Sequence, residues 1–297
     1  MRRFLLSTVA CLALLAACSD RDGGRRNPDA GPPDAGGGVD APPPRDTGPL
    51  TDAGPRLDDV LIFAHSRDTL YTFSPYTLTV DTVGPFLLPD GSPAPYMLDL
   101  AVDSDGRVFT SSDTSLFSVD PESARVTLVG DLGLGSDELF ALSFLARGEY
   151  RAGEETLVGA TNEGVYYEVN PATAVTRPMG TYPDGWRSSG DIVSVAGLGT
   201  FATVRRADFP SDVLVQILFA ADGSSTVTVR GPIRSATEDF IEVFGLGYWG
   251  RDMYGFSNAG QLIQIDRDSG AAMVVSTDTG ASQFWGAGVT TRVPVLF

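Results

Sequence analysis

The chain has 297 residues, a formal net charge of −17 and a hydrophobic content of 42%. Such an acidic balance disfavours nucleic acid and anionic membrane surfaces as partners. With two cysteines and one histidine, the chain cannot assemble a zinc site of the usual cysteine and histidine type.

The N-terminus reads Met1-Arg2-Arg3, then an apolar run from position 4 to 17, then Cys18. A short basic start, a brief apolar stretch and small residues form a secretory signal. The run is shorter than the ~20 apolar residues that span a bilayer. Leu15-Ala16-Ala17-Cys18 resembles the bacterial lipobox. The resemblance implies a signal peptide over 1–17, cleavage before Cys18 and palmitate-type acylation of its thiol. It also implies a membrane partner through the lipid anchor. Ser19 stands where an inner-membrane retention signal would place Asp, so the expected location is the cell envelope, at the outer membrane. Cys11 leaves with the signal, so the exported body has no thiol to form a disulfide.

Residues 18–57 form the next segment: the lipidated Cys18 followed by a tether. Positions 19–57 contain eight prolines, eight glycines and no aromatic residue. So few apolar groups cannot offset the entropy of ordering, and the segment is expected to be disordered. Pro42-Pro43-Pro44 adds polyproline-like stiffness.

From residue 58 to 297 the texture becomes short apolar alternations separated by Gly, Asp, Asn and Pro, a strand-and-turn pattern. One segment recurs: Leu70-Tyr71-Thr72-Phe73-Ser74-Pro75, Leu116-Phe117-Ser118-Val119-Asp120-Pro121 and Tyr166-Tyr167-Glu168-Val169-Asn170-Pro171. Gln216-Ile217-Leu218-Phe219-Ala220-Ala221 and Leu262-Ile263-Gln264-Ile265-Asp266-Arg267 complete the series. The sixth positions are spaced by 46, 50, 50 and 46 residues. A second apolar segment precedes each hairpin from the second unit on, at 98–102, 140–144, 192–196 and 244–248. Units of this length with four short strands have the size of a propeller blade. The first unit lacks its innermost strand, and the segment Phe284-Trp285-Gly286-Ala287-Gly288-Val289 matches an innermost strand with nothing after it. The fold class is therefore all-β, a β-propeller of five four-stranded blades, with the C-terminal strand closing the first blade. The hairpin motif resembles the repeats of quinoprotein-like and NHL-like propellers, a resemblance of architecture that matches no specific functional family.

Catalytic motifs are sparse. No nucleophile elbow, phosphate loop or dinucleotide fingerprint occurs. His65 is expected to be an exposed turn residue. Asp103-Ser104-Asp105-Gly106 begins like a calcium loop but reads as a turn. Asp68, Asp113, Asn162, Asp212 and Asn258 recur at one turn per unit, where local hydrogen bonding within each turn is expected. The loops between second and third strands and those between blades share one face of a propeller. They bring Tyr96, Trp186, Arg187, Arg205, Arg206 and Phe209 to that face, with Tyr182 beside them. Aromatics and arginines in loops suit binding. The reading is an envelope-anchored binding or scaffold lipoprotein with a protein or small-molecule ligand and no nucleic acid, monomeric, without a cofactor, and not an enzyme. The alternative is a calcium-dependent propeller hydrolase of the lactonase type, with Asp99, Asp103 and Asp191 as its metal ligands.

Replacing Cys18 by Ser should abolish palmitate labelling of the chain in its host. Labelling that persists in Cys18→Ser refutes lipidation at this position.

Overall fold

The computed structural model describes residues 60–296, so the signal, Cys18 and tether assignments fall outside the described residues. Five antiparallel four-stranded sheets make up the fold. Blade 2 runs from its innermost strand outward as β4 (Asp99–Val102), β5 (Val108–Ser111), β6 (Ser115–Val119) and β7 (Val126–Asp131). Blade 3 is β8 (Leu139–Leu145), β9 (Thr156–Thr161), β10 (Val165–Val169) and β11 (Thr176–Thr181). Blade 4 is β12 (Arg187–Val195), β13 (Gly199–Arg205), β14 (Val213–Phe219) and β15 (Ser225–Pro232). Blade 5 is β16 (Val243–Trp249), β17 (Asp252–Ser257), β18 (Leu262–Ile265) and β19 (Ala272–Ser276).

Blade 1 is built from both ends of the described chain. Its innermost strand is β20 (Gly286–Gly288), followed outward by β1 (Ile62–His65), β2 (Thr69–Ser74) and β3 (Thr79–Pro85). Phe63, Ala64 and His65 pair with Gly288, Ala287 and Gly286. The innermost strands contact one another in the order β20, β4, β8, β12, β16 and back to β20, which is a closed five-membered ring. Both the blade count and the shared first blade match the sequence expectation. Every blade also carries a register shift at the same place between its third and fourth strands, as at Leu70/Tyr71 and Leu262/Ile263. Such bulges add local twist, which each sheet needs to fit beside its neighbours.

The cores lie between blades. Aromatic side chains dominate the seam of blades 1 and 5: the Phe73 ring lies 4.8 Å from Tyr254 and 5.9 Å from Phe256, and Phe284 lies 5.2 Å from Phe256 and 5.8 Å from Tyr71. Edge-on pairs of this kind contribute about 0.5–1.5 kcal/mol each beyond their buried area. Backbone approach at the axis is close enough to require glycine. A Cβ on Gly245 would stand 2.6 Å from the Ala287 Cβ, and one on Gly286 would stand 2.1 Å from the Asp99 Oδ1.

After β20 the chain crosses the end of the ring opposite the loop-rich face. Thr290 Oγ1 donates to Asp103 O in blade 2, and Thr291 Oγ1 donates to the Glu155 carboxylate in blade 3. Ala196 N donates to Thr291 O in blade 4, and Gly250 N donates to Pro294 O in blade 5. Residues 290–296 thus act as a strap joined to four blades.

Deleting residues 283–297 should expose the β1 edge, remove Phe284 from its aromatic cluster and detach the strap. The expected result is aggregation or loss of the cooperative thermal transition, measured by circular dichroism. A truncated chain that melts like the full one contradicts closure by β20.

Candidate functional site

Three buried carboxyl groups tie neighbouring blades together, Asp99 and Asp191 from innermost strands and Asp212 from farther out in its blade. Asp99, the first residue of β4, accepts from Leu100 N at 2.8 Å and from Leu142 N of β8 at 2.6 Å. Asp191 lies where β12 shifts register between Ser188 and Ile192. It accepts from Ile192 N at 2.6 Å and from Leu246 N of β16 at 2.7 Å. Asp212, just before β14, accepts from Val243 N at 2.9 Å. Each acid therefore bonds the next blade, satisfying a buried N–H that the ladders leave open. Asp99 and Asp191 are fully buried and face each other. Burial, and for Asp99 also the charge of Asp191, raises both well above the ordinary carboxylate range. Burial also pushes Asp212 up to about 7, against the pull of the Val243 N–H, Ser189 and Arg205.

His65 is fully buried, which corrects its expected exposure in a turn. Its cross-strand partner is Gly286, and the missing side chain leaves room for the imidazole. The place a Gly286 Cβ would take is 2.5 Å from His65 Nε2 and 2.1 Å from Asp99 Oδ1, so ring and carboxyl are immediate neighbours. Nδ1 bonds to Ser66 O at 2.7 Å, and Nε2 has no protein partner. Burial lowers the His65 pKa to about 4 and keeps the ring neutral.

The predicted metal set does not assemble. Asp99 and Asp191 meet, but Asp103 lies beyond the other end of β4. There it accepts from Asp105 N and Arg107 N, both at 2.9 Å, and pairs with Arg107 at 2.6 Å. This is the turn the sequence suggested. Among the described residues no group of three or more His, Cys, Asp or Glu side chains is placed to hold a metal ion.

Five of the six predicted binding residues do converge. A cleft of about 580 Å³ opens between the loop joining β13 to β14 and the segment entering β16. Its rim carries Arg187, Arg205 and Arg206; Phe209 and Ile241 form an apolar side; Ser211 and Asp212 lie at its base. Arg187 and Arg205 are direct cross-strand partners on β12 and β13. Arg187 pairs with Glu163 at 3.0 Å, and Arg205 donates to Asn162 Oδ1. Arg206 grips Asp208 through two bonds of 2.6 and 2.8 Å and lies 4.1 Å above the Trp186 ring. Trp186 itself is buried and stacks 5.4 Å from Phe209, so it supports the cleft from beneath and offers a ligand no face. Tyr182 is buried as well.

Tyr96 belongs to a separate cluster on the same face. It is 64% exposed and lies 5.6 Å from the Arg67 guanidinium, which sits 3.8 Å over Trp285. Arg67, Trp285, Ser211 and Ile241 escaped the sequence reading. Arg67 and Ser211 directly neighbour singled-out residues in the same turns, which is the signal that could have found them. The recurrent turn residues also diverge. Asp68 accepts from Ser66 and Thr69 within its own turn, whereas Asp212 reaches the next blade because its side chain is buried against β16.

No family model matches the chain, and no curated protein matches it. Among solved structures it is similar to that of U3-55K, with 14% identity over 72% of this chain and 60% of that one, at a TM-score of 0.41. The structure of the RRP9 WD40 repeats is 12% identical over 72% of this chain and 59% of that one, at 0.39. A protein of unknown function from Bacteroides caccae is 10% identical over 73% and 72% of the two chains, at 0.38. The chain spans about 60% of the length of the first two. At these identities no residue role passes to this chain. What its own geometry defines is a five-bladed propeller with one loop-rich face and, upon it, a cleft of mixed polar and apolar lining.

The buried acids set the pH dependence of stability. The folded chain holds protons on Asp99, Asp191 and Asp212 that the unfolded chain releases near about 3.9. Their contribution is complete below that value and is lost as pH rises through the folded values, for Asp212 near 7. His65 works in the opposite sense: its neutral form stabilises above the unfolded value of about 6.5, and this is lost as pH falls towards about 4. Three raised acids outweigh one lowered histidine, so the melting midpoint should be several degrees higher near about pH 5.5 than near about pH 8. Asp212→Asn should shrink that difference. A midpoint that climbs from acidic to neutral pH contradicts the assignment.

Proposed function

We propose that this chain is an exported, lipid-anchored binding module of the cell envelope, held by Cys18 at the outer membrane and displaying its loop-rich face to a ligand. The observation that carries the reading is the cleft itself. Donors, apolar side chains and buried hydroxyls meet there in about 580 Å³, a volume within the range of small-molecule sites. The rest of the molecule supports it. Strand bonding and the strap spread support over every blade, so the loops stand on a scaffold that does not need to rearrange. The tether, expected to act as a spacer, would let the face reach beyond the membrane surface. The axial acids serve as strand-to-strand bonds, and this favours binding over hydrolysis.

A thermal-shift panel of organic acids, amines, sugars and short peptides on the purified full chain tests the reading. A true ligand at 100 times its Kd stabilises by about 2.7 kcal/mol. Phe209→Ala should remove that shift, and EDTA or added calcium should leave the midpoint where it was. A panel without a Phe209-dependent shift counts against the cleft, and a calcium-dependent midpoint would revive the metal reading.

A further inference from the structure

Arg187 and Arg205 form a like-charge pair in the cleft whose two members are balanced to different degrees. Like charges directly opposite on antiparallel strands destabilise a sheet. Glu163 neutralises Arg187 at 3.0 Å, and Asp208 is taken by Arg206. Arg205 has the neutral amide oxygen of Asn162 as its hydrogen-bond partner, makes no close ion pair among the described residues, and acts at longer range on the buried Asp212. Nearby, the Ser211 hydroxyl is 97% buried by residue and has no partner, although it lines the same cleft. A buried hydroxyl without a bond costs about 1–3 kcal/mol, which a ligand acceptor would recover. Beside these donors stand Phe209 and Ile241, the latter 59% exposed despite its apolar side chain.

A guanidinium fork and a hydroxyl match the two oxygens of a carboxylate. Glu163, Asp208, Glu242 and the buried Asp212 stand close by, so a dianion such as a phosphate monoester meets more repulsion than a single charge does. We infer that the cleft takes a small amphipathic monocarboxylic acid, its carboxylate on Arg205 and Ser211 and its apolar body against Phe209 and Ile241. The inference rests on the binding reading above and narrows its ligand to one chemical class.

The test is isothermal titration of the full chain with 3-phenylpropionate and hexanoate, each beside its primary amide. The acids should bind at least about tenfold more tightly than the amides. Arg205→Gln should erase that preference, and Arg205→Lys should restore part of it, because a point charge replaces the fork. Arg205→Gln should melt no lower than the parent, since it relieves a like-charge pair; lost binding is then not lost folding. Equal affinity for acid and amide, no binding of either acid, or an Arg205→Gln variant that still prefers acids overturns the inference. A Phe209-dependent shift from some other compound class would leave the binding reading standing while the carboxylate falls. If no compound of any class shifts the midpoint, both readings fall together.

Discussion

The pairing of β20 with β1 is the interaction on which the rest depends. Each blade by itself has an outer edge and an inner edge, and an isolated four-stranded sheet has no second layer to bury its faces. Closing the ring gives every sheet two neighbours. Glycine at 286 and 288 permits it, because these positions lie against Asp99 and Leu100 with no room for a side chain. The aromatic cluster of Phe73, Tyr254, Phe256 and Phe284 then fills the junction behind that thin strand. A three-residue strand offers few hydrogen bonds, and the apolar contacts beside it supply what they lack.

Convergence at the axis creates a second difficulty. Innermost strands meet neighbours to which they are not hydrogen-bonded, so some of their N–H groups point into a dry interior. Asp99, Asp191 and Asp212 answer this by reaching from one blade to Leu142, Leu246 and Val243 of the next. A carboxyl group has more acceptor capacity than a serine or an amide, so one side chain can serve its own strand and the next. The cost is a buried acid, and burial shifts each of these groups toward its protonated form.

Architecture was legible in the sequence because it repeats. Five hairpins at near-constant spacing, and complementary deficits at the two ends, specify blade number and closure without any knowledge of side-chain contacts. Site chemistry was legible only where neighbours in space are also neighbours in sequence or share a loop face, as with Arg205, Arg206 and Phe209. His65 was misplaced because its burial depends on Gly286, far away in the chain. Asp103 and Asp99 were named together as metal carboxylates, yet four residues of extended chain separate them by roughly 13 Å. Trp186 was expected among the binding residues of the loop face, but it lies buried beneath Arg206 and Phe209.

The shared first blade also governs when the molecule can exist. Ala64 pairs with Ala287, so the seam cannot form until nearly all of the repeat region is available. Joining positions separated by roughly 220 residues carries a loop-closure entropy of about 5 kcal/mol, which partly built blades would reduce. Until then β1 presents an unpaired edge, and proteins dominated by such distant pairings fold slowly. Folding of this chain accordingly has a late last step, the joining of its two ends. A chain interrupted before β20 would have most of its blades but not the ring, and the Arg187–Arg205 cleft would stand on a scaffold still open at one seam.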